Sequence, residues 1–171
     1  MRFPTPQQTG QGDAGSALVT VQNEAFVAIF DWVVGNPHRV VAAVLRSGRE
    51  VLLCHRRPDR AWFPDVWDLP GGHVESAERE RDAVVREVRE ELGVVPELTH
   101  GTPDVTLIDP EAEVEMHIWI VDSWQGDIMN GAPEEHDEVR WVSADDLASL
   151  RLAHHSYTSM LQSVVAESFD G

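Results

Sequence analysis

Glu87, Glu90 and Glu91 stand at i, i+3 and i+4 in a segment, 77–92, where Val84, Val85, Val88 and Leu92 recur at helical spacing. At about 100° per residue such a helix puts the three carboxylates on one narrow stripe beside the apolar one. Like charges at this spacing repel by roughly a few tenths of a kcal/mol per pair, and the helix dipole disfavours anions in the last turns. Helix stability therefore does not select the arrangement. A hard divalent cation would, because Mg²⁺ takes oxygen ligands and cancels the repulsion. A solvated acidic face is the ordinary alternative for an isolated Glu-x-x-Glu-Glu, so the flanking residues decide.

Those residues follow a strict spacing. Gly72, five residues, Glu78, seven residues, and then Arg86-Glu87-Val88-Arg89-Glu90-Glu91-Leu92-Gly93-Val94 match every fixed position of the Nudix box, and the chain is identified by that resemblance as a member of the Nudix hydrolase family, in its MutT-like branch. The resemblance implies an α/β fold of mixed type, an α/β/α sandwich with a mixed β-sheet between helices. It implies that Mg²⁺, or Mn²⁺, is held by Glu87, Glu90, Glu91 and the backbone carbonyl of Gly71. Arg86 is expected to orient a box carboxylate through a salt bridge, with Glu78 as a structural or outer residue of the metal site. Gly72, like Gly71, lets backbone approach phosphates, and Gly93 stops the helix.

Family members cleave a nucleoside diphosphate linked to another moiety, by attack of water on phosphorus, with a carboxylate taking the water's proton. By this resemblance the base is Glu135, in the acidic stretch 133–138, or alternatively Glu90 or Glu91. Arg57, with Arg56 beside it, stands at the interval before Pro70 where MutT-like enzymes keep an arginine near the nucleotide. Trp67 and Asp68 could stack on and hydrogen-bond a base, although an aromatic there also suits the core. The expected reaction converts a nucleoside triphosphate or related nucleotide to a monophosphate and pyrophosphate. Pro110 lies near the marker proline of ADP-ribose pyrophosphatases without that marker's neighbours, and ADP-ribose or nucleotide-sugar hydrolysis is the alternative. His154-His155 stands where oxidised-guanine specialists carry an asparagine, a departure that does not favour 8-oxoguanine. A catalytically silent nucleotide-sensing domain is the reading from another class, but every acidic and arginine position of the box is filled.

The elements that must position these groups are legible as strands and helices. Apolar stretches at 25–34 and 40–45 and a turn at 46–49 lead to a strand at 50–55, a hairpin pattern. Residues 56–67 read as a structured loop. Further strands are expected at 105–108, 114–124 and 139–142, a short helix opened by Ser143 as N-cap, and a terminal helix over 157–167 with Met160, Leu161, Val164 and Val165 inward. Residues 1–23, rich in Gln, Gly, Thr and Pro, read as a partly flexible arm with a short strand near 17–21, and 24–171 as the Nudix domain.

Composition sets the boundaries. The 171 residues carry 30 acidic side chains against 13 basic ones, all arginine, for a net charge of −17. Such a balance repels nucleic acid and admits phosphates only across a bridging cation. No apolar run suits a bilayer and no segment resembles a signal peptide, so a cytoplasmic enzyme, monomeric or homodimeric, acting on a small-molecule nucleotide is expected. The single cysteine, Cys54, reads as a small buried strand residue.

Overall fold

A computed structural model describes residues 20–21, 38–110 and 113–166. The expected strand at 25–34, and the N-terminal arm apart from Thr20–Val21, lie outside them. Ten strands and two α-helices succeed one another in chain order among the described residues. They are β1 (Thr20–Val21), β2 (His38–Ser47), β3 (Glu50–Arg56), β4 (Trp67–Asp68), β5 (Gly71–His73), α1 (Glu80–Leu92), β6 (Val95–Pro96), β7 (Val105–Asp109), β8 (Val114–Val121), β9 (Trp124–Gln125), β10 (His136–Ser143) and α2 (Tyr157–Ala166).

The apolar β-branched run of β2 makes it a central strand. The sheet runs β1-β7-β8-β2-β3-β10, mixed in direction because β2 is parallel to β8 while the other pairings in that row are antiparallel. Both faces of β2 are covered, which is why its sequence is a continuous hydrophobic run. Val41, Ala43 and Leu45 pack with Leu52, Cys54, Trp119 and the Val84, Val88 and Leu92 stripe of α1. Ala42 and Val44 pack on the other side with Leu53, Leu107, Ile118 and the Tyr157, Leu161 and Val164 stripe of α2. The result is a sheet between two helices, the layered α/β/α arrangement expected from the sequence.

One local feature sets where the glycines meet the carboxylate helix. The β2–β3 hairpin is paired only near its turn, Arg46 with Val51 and Ser47 with Glu50. Beyond that the strands diverge, and the chain 67–73 enters the fork. Within it, β4 pairs with β3 through Asp68–Cys54 and Trp67–His55, and β5 pairs with β2 through Gly71–Ala42, Gly72–Val41 and His73–Val40. Ala43 N–H donates to the Pro70 carbonyl at 2.9 Å and closes the wedge. This seats the two glycines beneath α1.

Several boundaries differ from the sequence reading for physical reasons. Helix α1 starts at Glu80, not Ala77, since Ala77 sits at φ +66° and Arg79 has extended geometry without a side-chain cap. The stretch before the helix instead forms a turn in which the Glu75 N–H donates to the Glu78 carboxylate at 3.1 Å. The expected strand over 114–124 ends at Val121, and Trp124–Gln125 turns away to pair with β6. Ser143 ends β10 and its Oγ accepts the Asp146 N–H at 3.2 Å, but the short helix that follows is a 3-10 turn over Leu147–Ser149 with Asp146, not Ser143, at its N-cap. No helix among the described residues is long and apolar enough to cross a membrane.

Gly71 and Gly48 give contrasting substitutions. A Cβ on Gly71 would lie 2.1 Å from the Val41 carbonyl oxygen, a backbone atom fixed in the sheet, whereas one on Gly48, at φ +58°, would meet nothing within 4 Å. Gly48→Ala is expected to cost about 1–2 kcal/mol through backbone conformation alone. Gly71→Ala should cost about 3 kcal/mol or more through overpacking. Urea unfolding of both variants checks this, and a smaller loss for Gly71→Ala would contradict the wedged fork.

Candidate functional site

The fork brings bare backbone against the carboxylate stripe. Gly71 N–H donates to Glu91 Oε2 at 3.0 Å. A Cβ on Gly72 would fall 2.5 Å from Glu87 Oε1, so the missing side chain is what leaves room for that carboxylate. Two of the three helix glutamates are thus held against the Gly71-Gly72 turn. The third, Glu90, remains the most exposed, with 60% of its side-chain surface open against 15% for Glu87.

Arg86 is the clamp. Its Nε and Nη2 donate to the two oxygens of Glu78, both at 3.0 Å, its Nη1 donates to Glu87 at 2.8 Å and Glu90 at 3.3 Å, and Nη2 also reaches the His73 carbonyl at 3.2 Å. The expected Arg86–Glu90 contact is therefore the longest of its carboxylate contacts, and the bidentate pair with Glu78 is the main one. These bonds hold the Glu78 carboxyl below its usual range. They only partly offset burial at Glu87, whose carboxyl is raised. Glu91 is almost wholly buried, and desolvation pushes its carboxyl well above the usual range, opposed by the Gly71 N–H and reinforced by Glu87, Asp68 and Glu135.

The helix end is finished by the Gly, Pro and acid-rich loop over 126–137, a contact with α1 that the sequence did not indicate. Gly93, at φ +73°, donates its N–H to the Arg89 carbonyl, the expected stop. Met129 N–H then donates to Leu92 O at 3.0 Å and Gly131 N–H to Glu91 O at 2.7 Å, supplying donors to the open end of the helix. Gly131 approaches so closely that a Cβ there would lie 2.3 Å from Glu90 O. Its only trace in the sequence is a glycine in an acidic, Pro-containing loop.

Glu135 joins the site from the other side. It lies close enough to raise the carboxyls of Glu87 and Glu91, and its Oε2 accepts from Arg60 Nη2 at 3.1 Å. Arg57 N–H donates to the Glu135 carbonyl at 2.9 Å, so the loop after β3 and the loop before β10 are docked. Arg60 escaped the sequence reading because only the fold places it beside Glu135.

The remaining expected ligand-binding residues are placed differently. Trp67 is a core residue, 7% exposed, with Arg140 lying 4.3 Å over its ring and His55 against it, so it offers no open face for a base. Asp68 is also inward. It accepts from Leu69 N–H at 2.8 Å and Tyr157 O–H at 3.2 Å, and burial raises its carboxyl. Arg56 spends its guanidinium on the Trp62 and Phe63 carbonyls, and Arg57 is paired with Asp59 at the surface. The exposed aromatics of this region are Trp62 and Phe63, at 77% and 51%. Cys54 is buried, as expected.

The donor set fits a hard divalent cation. Glu87, Glu90, Glu91 and the Gly71 carbonyl offer oxygen only, and the carboxyls of Glu87 and Glu91 are raised first by burial and further by the neighbouring carboxylates. The family model for the NUDIX domain matches residues 36–163. The chain is 35% identical over 122 residues to the nucleoside triphosphatase NudI of Klebsiella pneumoniae, covering 66% of this chain and 86% of the relative. It is 36% identical over 117 residues to NudI of an Escherichia coli strain, covering 63% and 83%. Among solved structures it resembles a MutT NUDIX hydrolase from Burkholderia pseudomallei, with TM-score 0.61, 28% identity, and coverage of 75% of this chain and 98% of that one.

The buried glutamate makes a pH-dependent prediction. A carboxyl raised in the folded state binds its proton more tightly there than in the unfolded chain, so its contribution to stability is present at acid pH and is lost as pH rises through the raised value. Metal-free protein should lose stability as pH increases from about 4.3, the ordinary glutamate value, toward neutrality. Glu91→Gln keeps an acceptor for the Gly71 N–H and removes the charge. It should melt above the wild type at neutral pH in a chelator, with the gap closing at acid pH. A lower melting temperature for the variant at both pH values would contradict the assignment.

Proposed function

The chain belongs to the NUDIX family, and from that premise we propose that it is a divalent-metal-dependent pyrophosphohydrolase that cleaves a nucleoside triphosphate to a nucleoside monophosphate and pyrophosphate. The observation that carries this reading is the Gly71-Gly72 turn packed against Glu87 and Glu91, with Glu90 left open to solvent on the same helix. The choice of a triphosphate rests on the NudI relatives and on the MutT-like stretch Leu69-Pro70-Gly71-Gly72-His73-Val74-Glu75.

In this reading the Gly71 backbone and Glu87, Glu90 and Glu91 hold Mg²⁺ or Mn²⁺. The bound ion supplies neutralisation of the phosphate charge and polarisation of a phosphoryl oxygen. Arg86 keeps Glu87 and Glu90 in place from behind, with Glu78 fixing the guanidinium. Glu135 is the favoured base. It is more open than Glu91, whose Oε2 is occupied by the Gly71 N–H, and the Arg60 guanidinium keeps it positioned. A water oxygen forms the new bond to phosphorus as the anhydride bond breaks; the water proton passes to Glu135 and the leaving group departs as pyrophosphate. The free nucleotide pool is the proposed source of substrate, consistent with an acidic surface poorly suited to nucleic acid.

A substrate panel with Mg²⁺ tests the reading, covering ordinary and oxidised nucleoside triphosphates, ADP-ribose, nucleotide sugars and dinucleoside polyphosphates, with products separated chromatographically. A triphosphate should be the best substrate. Glu90→Gln and Glu135→Gln should each lower turnover by about 10²-fold or more while the fold is retained. ADP-ribose turning over far faster than any triphosphate would replace the proposed substrate, and tight binding without turnover would make the domain a sensor.

A further inference from the structure

Behind the carboxylate stripe lies a cluster that the hydrolytic reading does not use. Cys54 of β3, His136 of β10 and Glu91 of α1 are all buried, and their donor atoms lie within 4.8 Å of one another. The register between β10 and β3 shifts between His136 and Glu138, so that His136 falls opposite Arg56 while Val139 pairs with Cys54. This bulge puts the imidazole on the same face of the sheet as the thiol and sends Asp137 to the opposite face, where it meets His55 Nδ1 at 2.6 Å. His136 is 1% exposed, and its Nδ1 is buried with no hydrogen-bond partner among the described residues. Its backbone is fixed at both ends, N–H to Ala132 O at 2.9 Å and carbonyl to Asn130 Nδ2 at 2.7 Å. An unpartnered imidazole nitrogen in a buried polar cluster is costly unless something takes its lone pair or proton.

We propose that Cys54, His136 and Glu91 form a second cation site, for a thiophilic divalent ion such as Zn²⁺, which draws Glu91 away from the oxygen-lined site. The donor chemistry is what separates the two. Thiolate and imidazole suit Zn²⁺ and related ions, whereas Mg²⁺ takes oxygen ligands and would not choose a thiolate. Tetrahedral bonds of about 2.0–2.3 Å put donor atoms about 3.3–3.8 Å apart, so the present spacing needs only a small closing of three side chains. Burial, with Arg56 and Arg60 nearby, pushes the imidazole down to about 4, which leaves it neutral and able to ligate. The thiol proton leaves to solvent when the ion binds. Because Glu91 is common to both sites, micromolar Zn²⁺ should inhibit Mg²⁺-supported hydrolysis by occupying the inner site.

Co²⁺ is the probe. Titrating the full chain with Co²⁺ should produce a thiolate-to-cobalt charge-transfer absorption at one equivalent, displaced by Zn²⁺. Zn²⁺ affinity, measured by competition with a chromophoric chelator, should fall about tenfold or more in Cys54→Ala and in His136→Ala. Cys54→Ala should keep its circular dichroism and its Mg²⁺-supported turnover while losing the inhibition by Zn²⁺. Stoichiometric Co²⁺ without the charge-transfer band, or equal Zn²⁺ affinity in wild type and Cys54→Ala, would overturn the site. A band that forms in a protein without turnover would support the site and count against the hydrolytic reading instead.

Discussion

Crowding of negative charge is the constraint on which this structure turns. Two carboxylates about 4 Å apart at a protein surface repel by about 4 kcal/mol at an effective dielectric constant near 20, and burial adds a desolvation cost. The chain places Glu87, Glu90 and Glu91 on one helix stripe, adds Glu78 and Glu135 around them, and buries Glu91 almost completely. One guanidinium, that of Arg86, answers three of these carboxylates directly, and Arg60 answers Glu135. The charge left over is what a divalent cation would neutralise.

The scaffold exists to make that crowding bearable and fixed. The diverging β2–β3 pair opens a fork, the 67–73 segment fills it, and the side-chain-free turn lets α1 press Glu87 and Glu91 against backbone. At the C-terminal end of α1, where the dipole would add to the repulsion, the N–H groups of Met129 and Gly131 donate to the last carbonyls. The packed stripe of Val84, Val88 and Leu92 anchors the helix, so the carboxylate face cannot rotate away without exposing core.

Much of this was legible in the sequence because it is written locally. Helical spacing gave the carboxylate stripe and the terminal helix, box spacing gave Arg86 and the glycines, and apolar β-branched stretches about a turn gave the β2–β3 hairpin. What failed depended on pairing between distant segments. Trp67 and Asp68 precede the glycine turn in sequence, yet they pair with His55 and Cys54, which buries the Trp67 ring in the core and turns the Asp68 carboxylate to Tyr157. Arg60 and Gly131 were missed because only the docking of two loops brings them to Glu135 and the helix end. The bulge that turns His136 inward is likewise invisible to a period-two pattern.

Metal binding in the absence of any substrate tests the central claim most directly. Free Mn²⁺ measured by electron paramagnetic resonance during titration of the wild type, Glu87→Gln and Glu90→Gln should show a site whose affinity falls about tenfold or more when either carboxylate is neutralised. Equal Mn²⁺ affinity in all three proteins, each with wild-type circular dichroism, would contradict the account that the crowded carboxylates are a cation site.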